Sequence, residues 1–221
     1  RKSAEVPFER VVAEYRPVEP ARFVIDTPDK ENAMLFARVD LPASLTDSDM
    51  PALITADWII GGSDGLSNRI VNRLRQKEGL SYGAGSGITL PSFGNRAKWS
   101  VGAIVAPQNL AQAEKSLRDE LARAYRDGIT EEELAEAKRG IIQSRAVNRA
   151  QDGLIASNWV NNLEIGKTWQ FSKETEEAVM KLTVEDVNKA LRRFCDPEKL
   201  TFALAGDLKK AQAAGKDFSR Q

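Results

Sequence analysis

Apolar residues recur along this chain with two periods, every second position in some segments and every third or fourth in others, and the two periods predict strands and helices. In 32–41, Ala33, Leu35, Ala37 and Val39 share one face while Met34 and Phe36 occupy the other, so this strand is expected to begin with both faces buried. In 96–106, Ala97, Trp99, Val101, Ala103 and Val105 alternate without interruption. That strand and 81–90, joined by Pro91-Ser92-Phe93-Gly94-Asn95, read as an antiparallel hairpin. Shorter strands are predicted at 22–25, before the turn-forming Asp26-Thr27-Pro28-Asp29, and at 199–205.

The helical period appears first in 47–60, where Leu53, Ile54, Asp57, Trp58 and Ile60 suit a mostly buried helix that Gly61-Gly62-Ser63-Asp64-Gly65 ends. Ser67 is the expected N-cap of a second helix over 68–78, with Ile70, Val71 and Leu74 facing inward and Gly79 at the helix-ending position. After Pro107 the pattern stays helical, with helices near 109–127, 130–149, 152–165, 172–181 and 184–193. Thr130 with Glu133, and Thr183 with Asp186, have capping-box spacing. Interleaved strands and helices with a hairpin predict an α+β fold: a mostly antiparallel sheet of five to six strands with helices packed on one face. One domain over 22–208 is expected, preceded by a proline-bearing docking arm (1–21, with Phe8, Val11, Val12 and Tyr15 as anchors) and followed by a loosely ordered tail (209–221).

Composition narrows the chemistry. Thirty-two basic and 32 acidic side chains cancel, which gives no electrostatic reason for a nucleic acid or an anionic membrane as partner. The local cluster Arg69, Arg73, Arg75 and Lys77 reads as a solvated helix face diluted by Glu78. No apolar run approaches the ~20 residues that cross a bilayer. Cys195 is the lone cysteine, which suits a buried thiol and rules out an internal disulfide. With no histidine among 221 residues, a Ser–His–Asp triad and an imidazole zinc site are both impossible in this chain. Because the chain opens at Arg1, it is expected to be part of a longer protein.

Several patterns carry less than they suggest. Gly83, Gly85 and Gly87 alternate by two at the start of a strand, so they miss the dinucleotide fingerprint; they leave a bare strand face, either for packing or for a second strand to approach. Gly61–Gly65 lacks the lysine of a phosphate loop and is accounted for by helix termination and a tight turn. The acid pairs, Glu131 with Glu133 and Glu176 with Glu177, fall on helices that read as solvent-facing. No general base stands out. Arg75 and Tyr82 differ in that the local structure brings a cationic fork at a helix end near a phenol at a strand start. Both are donors suited to a carbonyl or a developing oxyanion. Singly, Arg75 also reads as a cation placed by the helix dipole, and Tyr82 as a strand aromatic with its hydroxyl in water.

The order Gly61, Gly62, Ser67, Leu74, Arg75, Gly79, Leu80, Tyr82, within this succession of strands and helices over about 22–208 and ending in Ala205-Gly206-Asp207, resembles the pitrilysin and insulinase (M16) family of zinc peptidases, which includes mitochondrial processing peptidase. The resemblance implies the LuxS-like metallohydrolase fold and a two-part enzyme. One domain of such an enzyme holds zinc on an H-x-x-E-H helix, and a homologous, non-zinc-binding domain carries the arginine and tyrosine. The halves close on an extended peptide that adds a strand to a sheet edge. Carried over, Arg75 hydrogen-bonds substrate backbone near the scissile bond and Tyr82 donates to the oxyanion. Zinc is expected in the partner domain, of the same chain or a separate subunit, and this chain alone is expected to be inactive. The alternative is a proteolytically inactive structural or assembly subunit of the same fold, as in the core subunits of the respiratory bc1 complex. Of the compartments, the periplasm is favoured over the cytoplasm.

Overall fold

A computed structural model describes residues 9–63 and 67–213. Pro7, Phe8, Asp64, Gly65 and the tail from 214 onward therefore lie outside the described residues. Five strands form one sheet: β1 (Arg22–Asp26), β2 (Ala33–Pro42), β3 (Ser81–Thr89), β4 (Arg96–Val105) and β5 (Thr201–Gly206), in the order β1-β5-β2-β4-β3. β2 pairs antiparallel with both β4 and β5, and β3 pairs antiparallel with β4, as the hairpin reading requires. β1 runs parallel to β5, so the sheet is mixed, with antiparallel pairing at its centre.

Register explains the core. Leu35 faces Ala103, Ala37 faces Val101 and Val39 faces Trp99, and this side of the sheet carries the helices. Trp99, Leu35, Phe202 and Leu204 are almost fully buried there against Leu53, Ile60, Ile70, Leu74, Leu117 and Leu191. Each such side chain contributes ~1.5–3 kcal/mol of transfer free energy, opposed by the entropy of ordering it. The expectation that both faces of β2 are buried is wrong. Met34 is 51% and Phe36 40% exposed, and their row neighbours across the sheet, Ile25 and Phe23, are exposed as well. Alternation reveals that a strand has two apolar faces, but the helices here cover one.

The first helix, α1 (Met50–Asp57), starts at Pro51 in the first turn and widens into a π-helical turn, Trp58–Gly62. The glycines Gly61 and Gly62 therefore lie inside the helical turn instead of ending the helix ahead of it. In α2 (Arg69–Val71), the cap is Asn68, not Ser67: the Asn68 side chain accepts from the Val71 amide at 2.9 Å and donates to the Ser63 carbonyl at 3.2 Å. α2 also widens into a π turn, Asn72–Lys77. Four helices follow as α3 (Leu110–Asp127), α4 (Glu131–Asn148), α5 (Asp152–Glu164) and α6 (Trp169–Lys181), then α7 (Val184–Phe194). The Thr130–Glu133 and Thr183–Asp186 capping boxes are both formed, each satisfying two otherwise orphaned backbone donors.

The arm runs without regular structure over 9–20 and lies along the β3–β4 loop. The Tyr15 amide donates to Asn95 Oδ1 at 3.0 Å, and the Arg10 guanidinium sits 3.7 Å from the Phe93 ring centroid, while Val11 stays 96% exposed. The expected loose tail instead begins as a helix, α8 (Leu208–Ala213). Asp26 Oδ1 accepts from the Leu208 amide and Asp207 Oδ1 from the Lys210 amide, so two carboxylates distant in sequence cap it. Cys195 is buried, and burial pushes its thiol well above the ordinary range, as suits an inert packing group.

Candidate functional site

The chain from Arg69 to Gly87 forms a continuous frame. α2 is pinned by Arg69, whose guanidinium donates to both oxygens of Glu133 at 2.6 and 2.7 Å and to the Gly128 carbonyl. Burial opposes its charge, but Glu133, with the charges of Glu120 and Asp127, outweighs burial and raises the Arg69 pKa, so this arginine is structural. Arg73 pairs with Glu78. The solvated-cluster reading thus holds only in part: Arg69 and Arg73 are committed to carboxylates, whereas Arg75 and Lys77 are exposed.

The π turn sets where Arg75 sits. Leu74 is fully buried, and its carbonyl accepts the Leu80 amide at 2.8 Å across the turn. Gly79, at φ 61°, takes the left-handed conformation that reverses the chain into β3. Arg75 follows the buried Leu74 onto the surface, and its guanidinium has no hydrogen bond or ion pair among the described residues.

Tyr82 is placed by a β-bulge. Ser81 pairs with Val105 and Gly83 with the adjacent Ile104, so Tyr82 is the extra residue of the bulged strand. The buried Ser81 hydroxyl holds the bulge, lying 2.7 Å from the Ile104 carbonyl, to which it donates, and 3.1 Å from the Gly83 amide, from which it accepts. Tyr82 is consequently turned out, 63% exposed, on the edge strand of the sheet. Its hydroxyl has no hydrogen-bond partner among the described residues. The structure therefore presents Arg75 and Tyr82 as two open donors at either end of one helix-to-strand connection, with no hydrogen bond or ring contact between them.

A second layer holds this connection from behind. Asp57 is 7% exposed and accepts from Ser86 Oγ at 2.6 Å and Trp99 Nε1 at 3.0 Å. Burial raises its carboxyl above the ordinary range, and the bonds from Ser86, Trp99 and the Ile88 amide offset this only in part. Buried, and bonded through Oδ1 to Ser86 and Trp99, Asp57 orders the frame. The glycines around it are explained by close approach. A β-carbon on Gly62 would lie 2.3 Å from Asp57 Oδ2, one on Gly61 would lie 2.6 Å from the Ser86 amide, and one on Gly85 would lie 2.9 Å from the Gly61 carbonyl. Termination and a tight turn do not account for Gly61 and Gly62; close packing does, of Gly61 against the β3 backbone and of Gly62 against the Asp57 carboxylate. Gly83 and Gly87, by contrast, meet nothing within 4 Å. Together with Met34, Phe36 and Ile104 they line a shallow trough of about 340 Å³ on the uncovered sheet face.

Ser81 and Asp57 carry the geometry, and sequence reasoning gave neither a role. A serine beside a strand tyrosine has no local signature of a bulge, and Asp57 meets Ser86 and Trp99 only through the tertiary fold. Among the described residues, no group of three or more histidine, cysteine, aspartate or glutamate side chains is arranged to hold a metal ion. No helix among them is long and apolar enough to cross a membrane.

Comparison with known proteins assigns the frame to a family. A family sequence model described as the peptidase M16 inactive domain matches residues 2–141. No curated protein sequence matches the chain. Among solved structures, a peptidase M16 inactive domain from Pseudomonas fluorescens superposes with a TM-score of 0.82 at 22% identity, over 91% of this chain and 47% of that one. A protease from Helicobacter pylori gives 0.78 at 16% identity, over 92% and 48%. The periplasmic protease PqqL from Escherichia coli gives 0.66 at 16% identity, over 86% of this chain and 21% of that one. At these identities the likeness is one of fold. The chain spans less than half the length of each of these three.

Proposed function

This chain belongs to the M16 peptidase family as an inactive domain, and from that premise we propose that it is the substrate-binding, non-catalytic part of a zinc-dependent peptidase. In this reading an extended peptide lies along the edge of β3, where Gly83 leaves the approach open. Arg75 donates to the substrate backbone near the scissile bond. Tyr82 donates to the carbonyl oxygen as negative charge develops on it. Donors aimed at an oxyanion strengthen as the charge grows, and losing one costs ~3 kcal/mol of transition-state stabilisation. The observation that carries this reading is the bulge. Ser81 turns Tyr82 outward on an edge strand with its hydroxyl uncommitted, and the same connection exposes an uncommitted Arg75. A scaffold of the same fold has no use for either donor.

Zinc, whose chemistry is to activate water, belongs in this reading to a partner domain with an H-x-x-E-H helix, in the same chain or another. The residues of this chain do not fit it, having no imidazole at all. Reconstitution tests the proposal: the chain is mixed with an H-x-x-E-H-bearing domain from the same genome, and hydrolysis of a quenched fluorescent peptide is followed. Each component alone should be silent and the mixture active, with stoichiometric zinc in the partner only. Hydrolysis by this chain alone, or tight stoichiometric zinc in it, overturns the reading. Silence of every mixture favours the assembly-subunit alternative.

A further inference from the structure

A cleft of about 700 Å³ opens between α1, α4, α5 and α6, and neither Arg75 nor Tyr82 lines it. Its size is that of sites that take drug-sized ligands. Its charge is lopsided. Arg145, in the last turn of α4, and Arg149, its C-cap, converge on a single carboxylate oxygen, Glu176 Oε1; Arg145 Nη1 is 3.7 Å from it and Arg149 Nη1 is bonded to it. Glu176 is the one acid among the described residues that line the cleft; Lys173 lines it too, with its ammonium 3.8 Å from Glu177 Oε1. Two guanidiniums sharing one acceptor repel each other and keep spare N–H donors. Burial holds the Arg145 guanidinium below its ordinary value; Glu176 opposes this and the charge of Arg149 reinforces it. A second carboxylate would relieve that arrangement.

Around the arginines the lining is amide-rich. Asn162 is buried and committed, donating to Ser172 Oγ at 3.2 Å. The side-chain amides of Asn148, Asn158 and Asn161 also line the cleft, and they hold no hydrogen bond to any described residue. Each offers a donor and an acceptor, the complement of a peptide unit. Met50, Ile54 and Trp169 supply an apolar wall. We infer that this cleft binds the C-terminal end of a peptide, with its carboxylate on Arg145 and Arg149, its last amide groups on the asparagines and an apolar side chain against Trp169. The site is separate from the β3 edge and does not depend on the role proposed for Arg75 and Tyr82.

Trp169 is a built-in reporter. The chain is titrated with N-acetyl-Ala-Ala-Leu as the free acid, with the same peptide as its C-terminal amide, and with N-acetyl-leucine, by tryptophan fluorescence and calorimetry. The free-acid peptide should bind roughly tenfold tighter than the amide, the worth of a charge-assisted hydrogen bond, and tighter than N-acetyl-leucine. Arg145→Gln should abolish the preference for the acid. Asn161→Asp, a change at an exposed position, should weaken the acid by placing a like charge in the cleft, and it carries the test if circular dichroism shows that Arg145→Gln does not fold. Three results overturn the inference: equal binding of acid and amide or none of either; a preference that survives the substitutions; or N-acetyl-leucine binding as tightly as the peptide.

Discussion

Asp57 accepts hydrogen bonds from Ser86 and Trp99 in a pocket that solvent barely reaches, and no cation pairs with it among the described residues. Its carboxyl therefore holds a proton more tightly in the folded state than in the unfolded chain. A group raised in this way contributes stability that is fully present below its unfolded value, near 3.8, and is lost as pH climbs through the raised folded value. Asp57→Asn keeps an oxygen for Ser86 and Trp99 but cannot ionise. Urea denaturation across pH ~4 to ~8 should show the wild type losing more stability than Asp57→Asn over that rise. Parallel profiles would mean that the carboxyl is not raised. Ser81 works by position instead of charge: with its hydroxyl on Ile104 and Gly83, it decides which way Tyr82 turns.

The π turn Trp58–Gly62 is the element that fits the helical layer to β3, and it can do so only because its last two residues lack side chains. A methyl at Gly62 would meet Asp57 Oδ2 at 2.3 Å, and Asp57 is fixed by Ser86 and Trp99, so the strain cannot be shed cheaply. Gly62→Ala should cost ~1–3 kcal/mol in chemical denaturation, while Gly87→Ala, with open space before it, should stay within about 0.5 kcal/mol. Equal effects would discount the close approach. The same contrast shows what a sequence can tell at this scale. The β3–β4 hairpin and the Thr130 and Thr183 capping boxes were legible because their determinants are local. The π turn Trp58–Gly62 was not, since it packs on β3, where Asp57 at its start accepts from Ser86, 29 residues on. Nor was α8, which Asp26 caps from the other end of the chain. The exposure of Met34 and Phe36 was hidden because periodicity assigns faces without saying which one is covered. At the site, Arg75 and Tyr82 stood out through their spacing, whereas the bulge that aims Tyr82 depends on the buried hydroxyl of Ser81.

At the scale of the whole molecule, the chain is an M16 inactive domain with no histidine, and the proposed reading divides a reaction between two bodies. The sheet offers an edge strand with an outward phenol, the helix before it offers a guanidinium, and neither is spent on holding the fold together. The central claim is that these two groups act on a substrate carbonyl whose attacking water is activated elsewhere. Its most direct test is kcat/KM for peptide hydrolysis in the assembled protein, compared for wild type, Tyr82→Phe and Arg75→Ala. The account predicts a loss on the order of a hundredfold for Tyr82→Phe, expressed mainly in kcat, and a comparable loss for Arg75→Ala, with zinc content unchanged. Wild-type kcat/KM in both variants would contradict it.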